Sequence, residues 1–145
     1  MSTPRLRLSV QNATGARGVP THADFRRWVA RTITRDADIT LRIVGEVEGR
    51  ELNRVYRRKD TATNVLSFLY DMDPVVAGDI AIAAPVVSRE ARQQGKALDA
   101  HYAHLTVHGT LHLMGFAHAK VRDAAVMEAV ETQILANLGY PDPYA

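Results

Sequence analysis

Along the chain, apolar and polar positions switch between two rhythms. Leu6, Leu8 and Val10 alternate with Arg7 and Ser9, a period of two that predicts a half-buried strand. Ile39, Leu41 and Ile43 repeat that rhythm. Between them lies the loop-like stretch QNATGARGVP, after which Pro20 and Thr21 lead into a helix. Phe25, Trp28, Val29 and Ile33 share one face of it, with Arg26, Arg27, Arg31 and Arg35 elsewhere, as an amphipathic helix requires. Leu52, Val55 and Tyr56 fit a short helix that carries a basic cluster. VLSFLY at 65–70 is rich in strand formers, and DIAIA at 79–83 reads as another short strand. DMDPVVAG between the two reads as a loop, so they can pair as a hairpin. Pro85 suits the first turn of a helix running to about Gln94, where Gly95 interrupts. Residues 99–114 continue as a helix with only Gly109 as a breaker, and Gly115 ends it. A last helix spans roughly 120–138, with Val126, Val130, Ile134 and Leu138 among its apolar positions and Gly139 and Pro141 closing it.

This order predicts an α/β (α+β) fold: a small mixed sheet of about four strands with about five helices. The length of 145 residues suits a single domain, 1–145. Hydrophobic residues make up 46% of the chain but aromatics only 6%, so aliphatic side chains and alanine carry most of the core. Cysteine is absent, which excludes a disulfide scaffold and thiol chemistry. The opening MSTPRLRLSV lacks the apolar core of a secretory signal, and no run approaches the length needed to cross a bilayer. A location in the cytoplasm is the default expectation. The net charge of +2, from 18 basic and 16 acidic residues, says little about partners. Its distribution says more. Arg50, Arg54, Arg57, Arg58 and Lys59 crowd positions 50–59 against Glu51 alone. That cluster is either a solvated helix face or a patch that tracks a phosphate backbone.

Five of the six histidines fall between 101 and 118. His108 and His112 are four apart on one helix, so their side chains project from the same face. Gly115 permits a sharp turn that can return His118 toward the pair. Three neutral imidazoles and one open position describe a catalytic zinc site better than a structural one. The spacing is that of the extended zinc-protease pattern H-E-x-x-H-x-x-G-x-x-H, but Gly109 stands where its glutamate would be. Peptidase chemistry therefore lacks its usual base. A zinc ion would still lower the pKa of bound water to about 7. His104 is a fourth ligand, a group behind the ligands or a packed neighbour, the last two being favoured because a closed four-histidine site would leave no room for substrate. Gly109 reflects either tight helix-to-strand packing or clearance for substrate.

HGTLHLMGFAH at 108–118 closely resembles the motif H-G-x-L-H-L-x-G-Y-D-H of the YbeY-type family, the bacterial zinc endoribonucleases linked to ribosomal RNA maturation. LNRVYRRKDTATNVLSFLY at 52–70 and Gly78-Asp79-Ile80 agree with the same family in order and spacing, and LGYPDPY at 138–144 also resembles it. The resemblance implies a small α/β metalloprotein with its metal in a cleft between helix and sheet. It implies one Zn2+ ion on His108, His112 and His118, and Arg57 as a residue important for activity. It further implies cleavage of single-stranded RNA in 16S rRNA 3′-end maturation and ribosome quality control. Ribosomal RNA, the small ribosomal subunit, ribosomal proteins and a ribosome-associated GTPase would be its partners, with no membrane involved. Where the family has tyrosine and aspartate, this chain has Phe116 and Ala117.

Arg57 offers a rigid fork of donors suited to a phosphate but cannot act as a base. Arg54, Arg58 and Lys59 are candidates to follow the RNA backbone. Ser67 lines the cleft or merely makes a hydrogen bond, Asp79 orders a loop or touches the site, and Tyr56 and Phe68 stack bases or pack a core. No carboxylate stands beside the histidines in sequence, so the source of proton transfer is unassigned. The nucleophile is either the RNA 2′-hydroxyl, which leaves a cyclic phosphate, or water, which does not. Two rival readings stand beside the nuclease: a metallohydrolase of another class, and an rRNA-binding assembly factor whose zinc is structural.

Overall fold

The computed structural model describes residues 3–58, 63–116 and 120–145. Its elements run β1 (Leu6–Asn12), α1 (His22–Thr32), β2 (Ala37–Val44), α2 (Glu46–Arg57), β3 (Val65–Asp71), β4 (Val76–Ala83), α3 (Ala84–Gln94), α4 (Leu98–Leu113) and α5 (Val121–Leu138). Four strands form one sheet in the order β1-β2-β4-β3. β1, β2 and β4 are parallel, and β3 returns antiparallel to β4 as the outer strand of a hairpin. The sheet is therefore mixed, as the alternation of strand and helix signals implies.

Local chemistry explains most boundaries. Thr21 caps α1 reciprocally: its hydroxyl accepts from the Asp24 N–H at 3.2 Å, and the Asp24 carboxylate accepts from the Thr21 N–H at 3.1 Å. Pro85 occupies the first turn of α3, and Gly95 ends that helix at φ +64°. The hairpin differs from the sequence-based expectation. β4 begins at Val76, so Val76, Ala77 and Gly78 belong to a strand and not to the loop. Their pattern looks loop-like because β4 is a central strand, covered by β2 on one edge and β3 on the other. A side chain at Gly78 would lie 2.7 Å from the Phe68 carbonyl oxygen and 2.8 Å from Leu113. Glycine is what lets α4 lie this close to the hairpin.

α4 is the organising helix. It touches β3 and β4 on one side and α1, α3 and α5 on others, and so lacks the one-sided apolar stripe of a surface helix. Phe25, Trp28 and Val29 of α1, Ile39, Leu41 and Ile43 of β2, and Tyr102, Val107 and Leu111 of α4 share one buried core. α2 packs on β4 and α3 beside a smaller cluster of Val44, Ala83 and Val86. The histidine-bearing face of α4 is thus clamped between the sheet and α5. No helix among the described residues is long and apolar enough to cross a membrane.

Candidate metal centre

The C-terminus of α4 sets up the site. Gly115 takes φ +101°, the left-handed conformation that glycine accepts without strain. Its N–H donates to the His112 carbonyl at 3.1 Å, and the Phe116 N–H donates to the Leu111 carbonyl at 3.0 Å. This pair of bonds is the Schellman closure of a helix. It brings the Phe116 carbonyl back to His112, where it accepts from Nδ1 at 3.0 Å. One turn earlier, His108 Nδ1 donates to the Glu131 carboxylate at 3.1 Å.

Both histidines therefore spend Nδ1 on an acceptor, which leaves both Nε2 lone pairs for another purpose. Those two atoms face each other at 3.1 Å. Two imidazole lone pairs at that distance repel unless a proton or a cation lies between them. Two nitrogens each bound at about 2.05 Å to one tetrahedral ion would stand about 3.3 Å apart, so the donor set fits a metal ion. His118 and Ala117, with the expected third ligand among them, lie outside the described residues.

Glu131 enters from α5 with its side chain wholly buried. One of its oxygens accepts from His108, and the other accepts from His104 Nε2 at 2.8 Å and from the Tyr144 hydroxyl at 2.9 Å. Burial pushes its pKa up, but the hydrogen bonds from His104 and His108 outweigh burial and hold it at about 2. It is a buried carboxylate at any ordinary pH. His104, His108 and Glu131 each bring a possible ligand atom within 4.8 Å of one another, so this cluster, between α4 and α5, can hold a metal ion. No carboxylate neighbours the histidines in sequence, but the fold brings one to them in space, Glu131, 23 residues from His108. Its sequence signal was present: Met127, Glu131 and Leu135 recur at four-residue spacing on one face, and all three are buried. A charge inside an apolar stripe needs a partner.

A cavity of about 700 Å³ opens in front of the Nε2 pair. His108 and His112 form one wall, Ser67, Phe68 and Tyr70 of β3 another, and Arg57 stands at its edge from the end of α2. Ser67 lines the cavity and also donates to the Gly109 carbonyl at 3.0 Å, tying β3 to α4. Gly109 itself packs against the hairpin: an added side chain would lie 3.1 Å from Ile80, 3.1 Å from Ser67 and 3.3 Å from Val65. Tyr56 and Phe68 meet edge to face at 5.0 Å between ring centres, with Tyr56 largely exposed. Tyr70 is the extra residue of a bulge, since Leu69 pairs with Gly78 and Asp71 with Ala77. The bulge turns it to the rim, where its hydroxyl donates to Asp79 at 2.7 Å. That hydrogen bond, with lesser help from burial, raises its pKa to about 12. Asp79 thus acts on the site through Tyr70. Arg54 is paired with Glu51 along α2, and among the described residues neither it nor Arg58 lines the cavity. Arg58 ends α2 in the left-handed conformation, φ 57°, and Lys59 lies outside the described residues.

The comparisons with known proteins point the same way. A family described as Endoribonuclease YbeY matches residues 11–139. A protein named Endoribonuclease YbeY from Aromatoleum aromaticum is 54% identical, over 99% of this chain and 96% of its own length. A namesake from Pseudomonas entomophila is 53% identical, over 97% of this chain and 94% of its own. The solution structure of a protein from Thermotoga maritima shares the fold, with a TM-score of 0.57 over 92% of this chain and 91% of that one at 22% identity.

Proposed function

The chain belongs to the YbeY family of endoribonucleases, and we propose that it cleaves single-stranded RNA with one zinc ion held by His108, His112 and His118. It is a hydrolase of phosphodiester bonds. The observation that carries the zinc assignment is the facing Nε2 pair at 3.1 Å, each ring fixed from behind through Nδ1. We place the ion on that side of His108 because the Glu131 oxygens are already engaged with Nδ1 of His108, with His104 and with Tyr144. Bound there, zinc supplies an activated water and a Lewis acid for a phosphoryl oxygen.

The protein's own groups divide the remaining work. Arg57 reaches the cavity edge with a planar fork that matches a phosphate and offsets charge building on it. Tyr56, Phe68 and Tyr70 present ring surface along the cavity, suited to unpaired bases and unable to reach them inside a duplex. Arg54 and Arg58, outside the cavity lining, and Lys59, the next residue in sequence, are the further cations we propose for the RNA backbone. Ser67 keeps β3 and α4 at a fixed separation. The substrate we propose is ribosomal RNA near the 3′ end of its 16S species, in the cytoplasm, on the small ribosomal subunit. A ribosomal protein and a ribosome-associated GTPase are the partners we propose there.

The test pairs metal analysis with cleavage of a single-stranded RNA, comparing the chain with His112→Ala. We expect about one zinc per wild-type chain and cleavage that disappears with the metal in the variant. A zinc-loaded wild type that binds rRNA without cutting it favours the assembly-factor reading. Cleavage of peptides with RNA left intact favours the other class of hydrolase.

A further inference from the structure

We infer that Glu131 is the positioning residue of the metal centre, and that His104 and Tyr144 exist in their observed places to aim it. The inference rests on His108 being a metal ligand. It assigns roles to three residues outside the ligand set, one of them in the segment that follows α5.

The geometry divides the carboxylate in two. Oε2 receives both His104 Nε2 and the Tyr144 hydroxyl, while Oε1 receives His108 Nδ1. Two donors on one oxygen fix the rotation of the carboxylate and leave the other oxygen aimed at His108. His108 is thereby held with its proton on Nδ1. The alternative tautomer would put that proton on Nε2 and block the ligating atom. Among the described residues the ion pairs of Glu131 are with these two histidines, not with lysine or arginine. A wholly buried carboxylate without a fixed cation is unfavourable, and a metal ion on the far side of His108 supplies the missing positive charge.

The route from Tyr144 to this carboxylate is built, not incidental. Gly139, at φ +93°, ends α5 with its N–H on the Ala136 carbonyl, and Tyr140 N–H returns to the Leu135 carbonyl at 2.8 Å. The chain after α5 is then pinned by Lys96 Nζ donating to the Pro143 carbonyl at 2.6 Å and by Tyr144 N–H donating to Asp142 at 2.8 Å. The Tyr144 ring stands edge-on to His104 at 5.2 Å. Segment 140–145 is in this way part of the metal centre, although no residue in it reaches the ion.

The test uses the full chain, zinc alone as the probe and no RNA. Zinc affinity is measured by competition with a chelator, and the tautomer of His108 is read in the metal-free chain from long-range 1H–15N imidazole spectra. In wild type we expect His108 protonated at Nδ1. For Glu131→Gln we expect zinc affinity to fall by about 10–100-fold and His108 to become a mixture of tautomers, because an amide cannot accept from all three donors. Tyr144→Phe removes one donor from a half-exposed site and should fold normally, with a smaller fall in the same direction. A folded Glu131→Gln chain with the wild-type tautomer and affinity overturns the inference. Should Glu131→Gln not fold, Tyr144→Phe decides, and equality with wild type overturns it. Wild-type zinc uptake with these losses in the variants supports the inference even where RNA cleavage is never seen, so its fate is separate from that of the nuclease reading.

Discussion

Replacing Gly109 with alanine sets two known effects against each other. In isolation α4 would gain, since alanine in place of a mid-helix glycine is worth about 0.5–1 kcal/mol. The hairpin opposes it. The new methyl would lie 3.1 Å from Ile80 Cγ2, 3.1 Å from Ser67 Oγ and 3.3 Å from Val65 Cγ2, all tighter than ordinary contact. Ile80 is fully buried on the central strand β4 and has nowhere to go. Overfilling a packed core costs about 1–3 kcal/mol, so after the helix gain is subtracted the variant should be less stable by up to about 2.5 kcal/mol, centred on about 1 kcal/mol. At about 2–5 °C per kcal/mol for a chain of this size, thermal unfolding should show a drop of several degrees. Ser67→Ala removes one of the three crowded atoms, so the double variant should lose less than the sum of the two singles, by about 0.5–1 kcal/mol. Denaturant unfolding of the four chains measures both quantities. A Gly109→Ala chain at least as stable as wild type, or strict additivity with Ser67→Ala, refutes the packing account and returns Gly109 to the role of substrate clearance.

Three further outcomes are expected. Gly115→Ala must adopt φ near +101° at about 1–2 kcal/mol or abandon the Schellman turn. If the turn is lost, the Phe116 carbonyl leaves His112 Nδ1 and chelator competition should show weaker zinc binding; if it is kept, thermal unfolding should show the strain as lost stability with zinc affinity unchanged. Arg57→Lys keeps the charge and loses the fork, so kcat/KM for RNA should fall by about 10–100-fold with circular dichroism unchanged, because Arg57 is exposed at the end of α2. An unaltered kcat/KM removes Arg57 from phosphate contact. His101 is buried and its pKa is lowered, chiefly by that burial and only partly offset by its hydrogen bond to Glu90. The unfolded chain then takes up a proton that the folded chain resists, so stability falls as pH drops below the ordinary value of 6.5. Between about pH 7.5 and about pH 5.5 the urea midpoint of wild type should fall further than that of His101→Gln. Equal falls would exclude His101 as the cause.

Much of the site is local, and local features are legible from residue order. The helical spacing of His108 and His112, the glycine that closes α4 and the threonine that caps α1 each depend on atoms within five residues. Alternation likewise marks β1 and β2, and a run of strand-forming residues marks β3, before any partner is known. Short-range rules of this kind act the same way in every fold, so the sequence alone determines them. The tertiary structure decided what depends on distant neighbours. Whether Val76–Gly78 is loop or strand is settled by pairing with β2 and β3, and by Leu113 crossing Gly78. Tyr70 reaches the cavity because of a bulge that exists only against β4. Glu131 and Tyr144 meet His108 and His104 across separations of 23 and 40 residues. No periodicity spans such intervals, because what brings those groups together is the burial of α4 between the sheet and α5, a property of the assembled core and of no single segment.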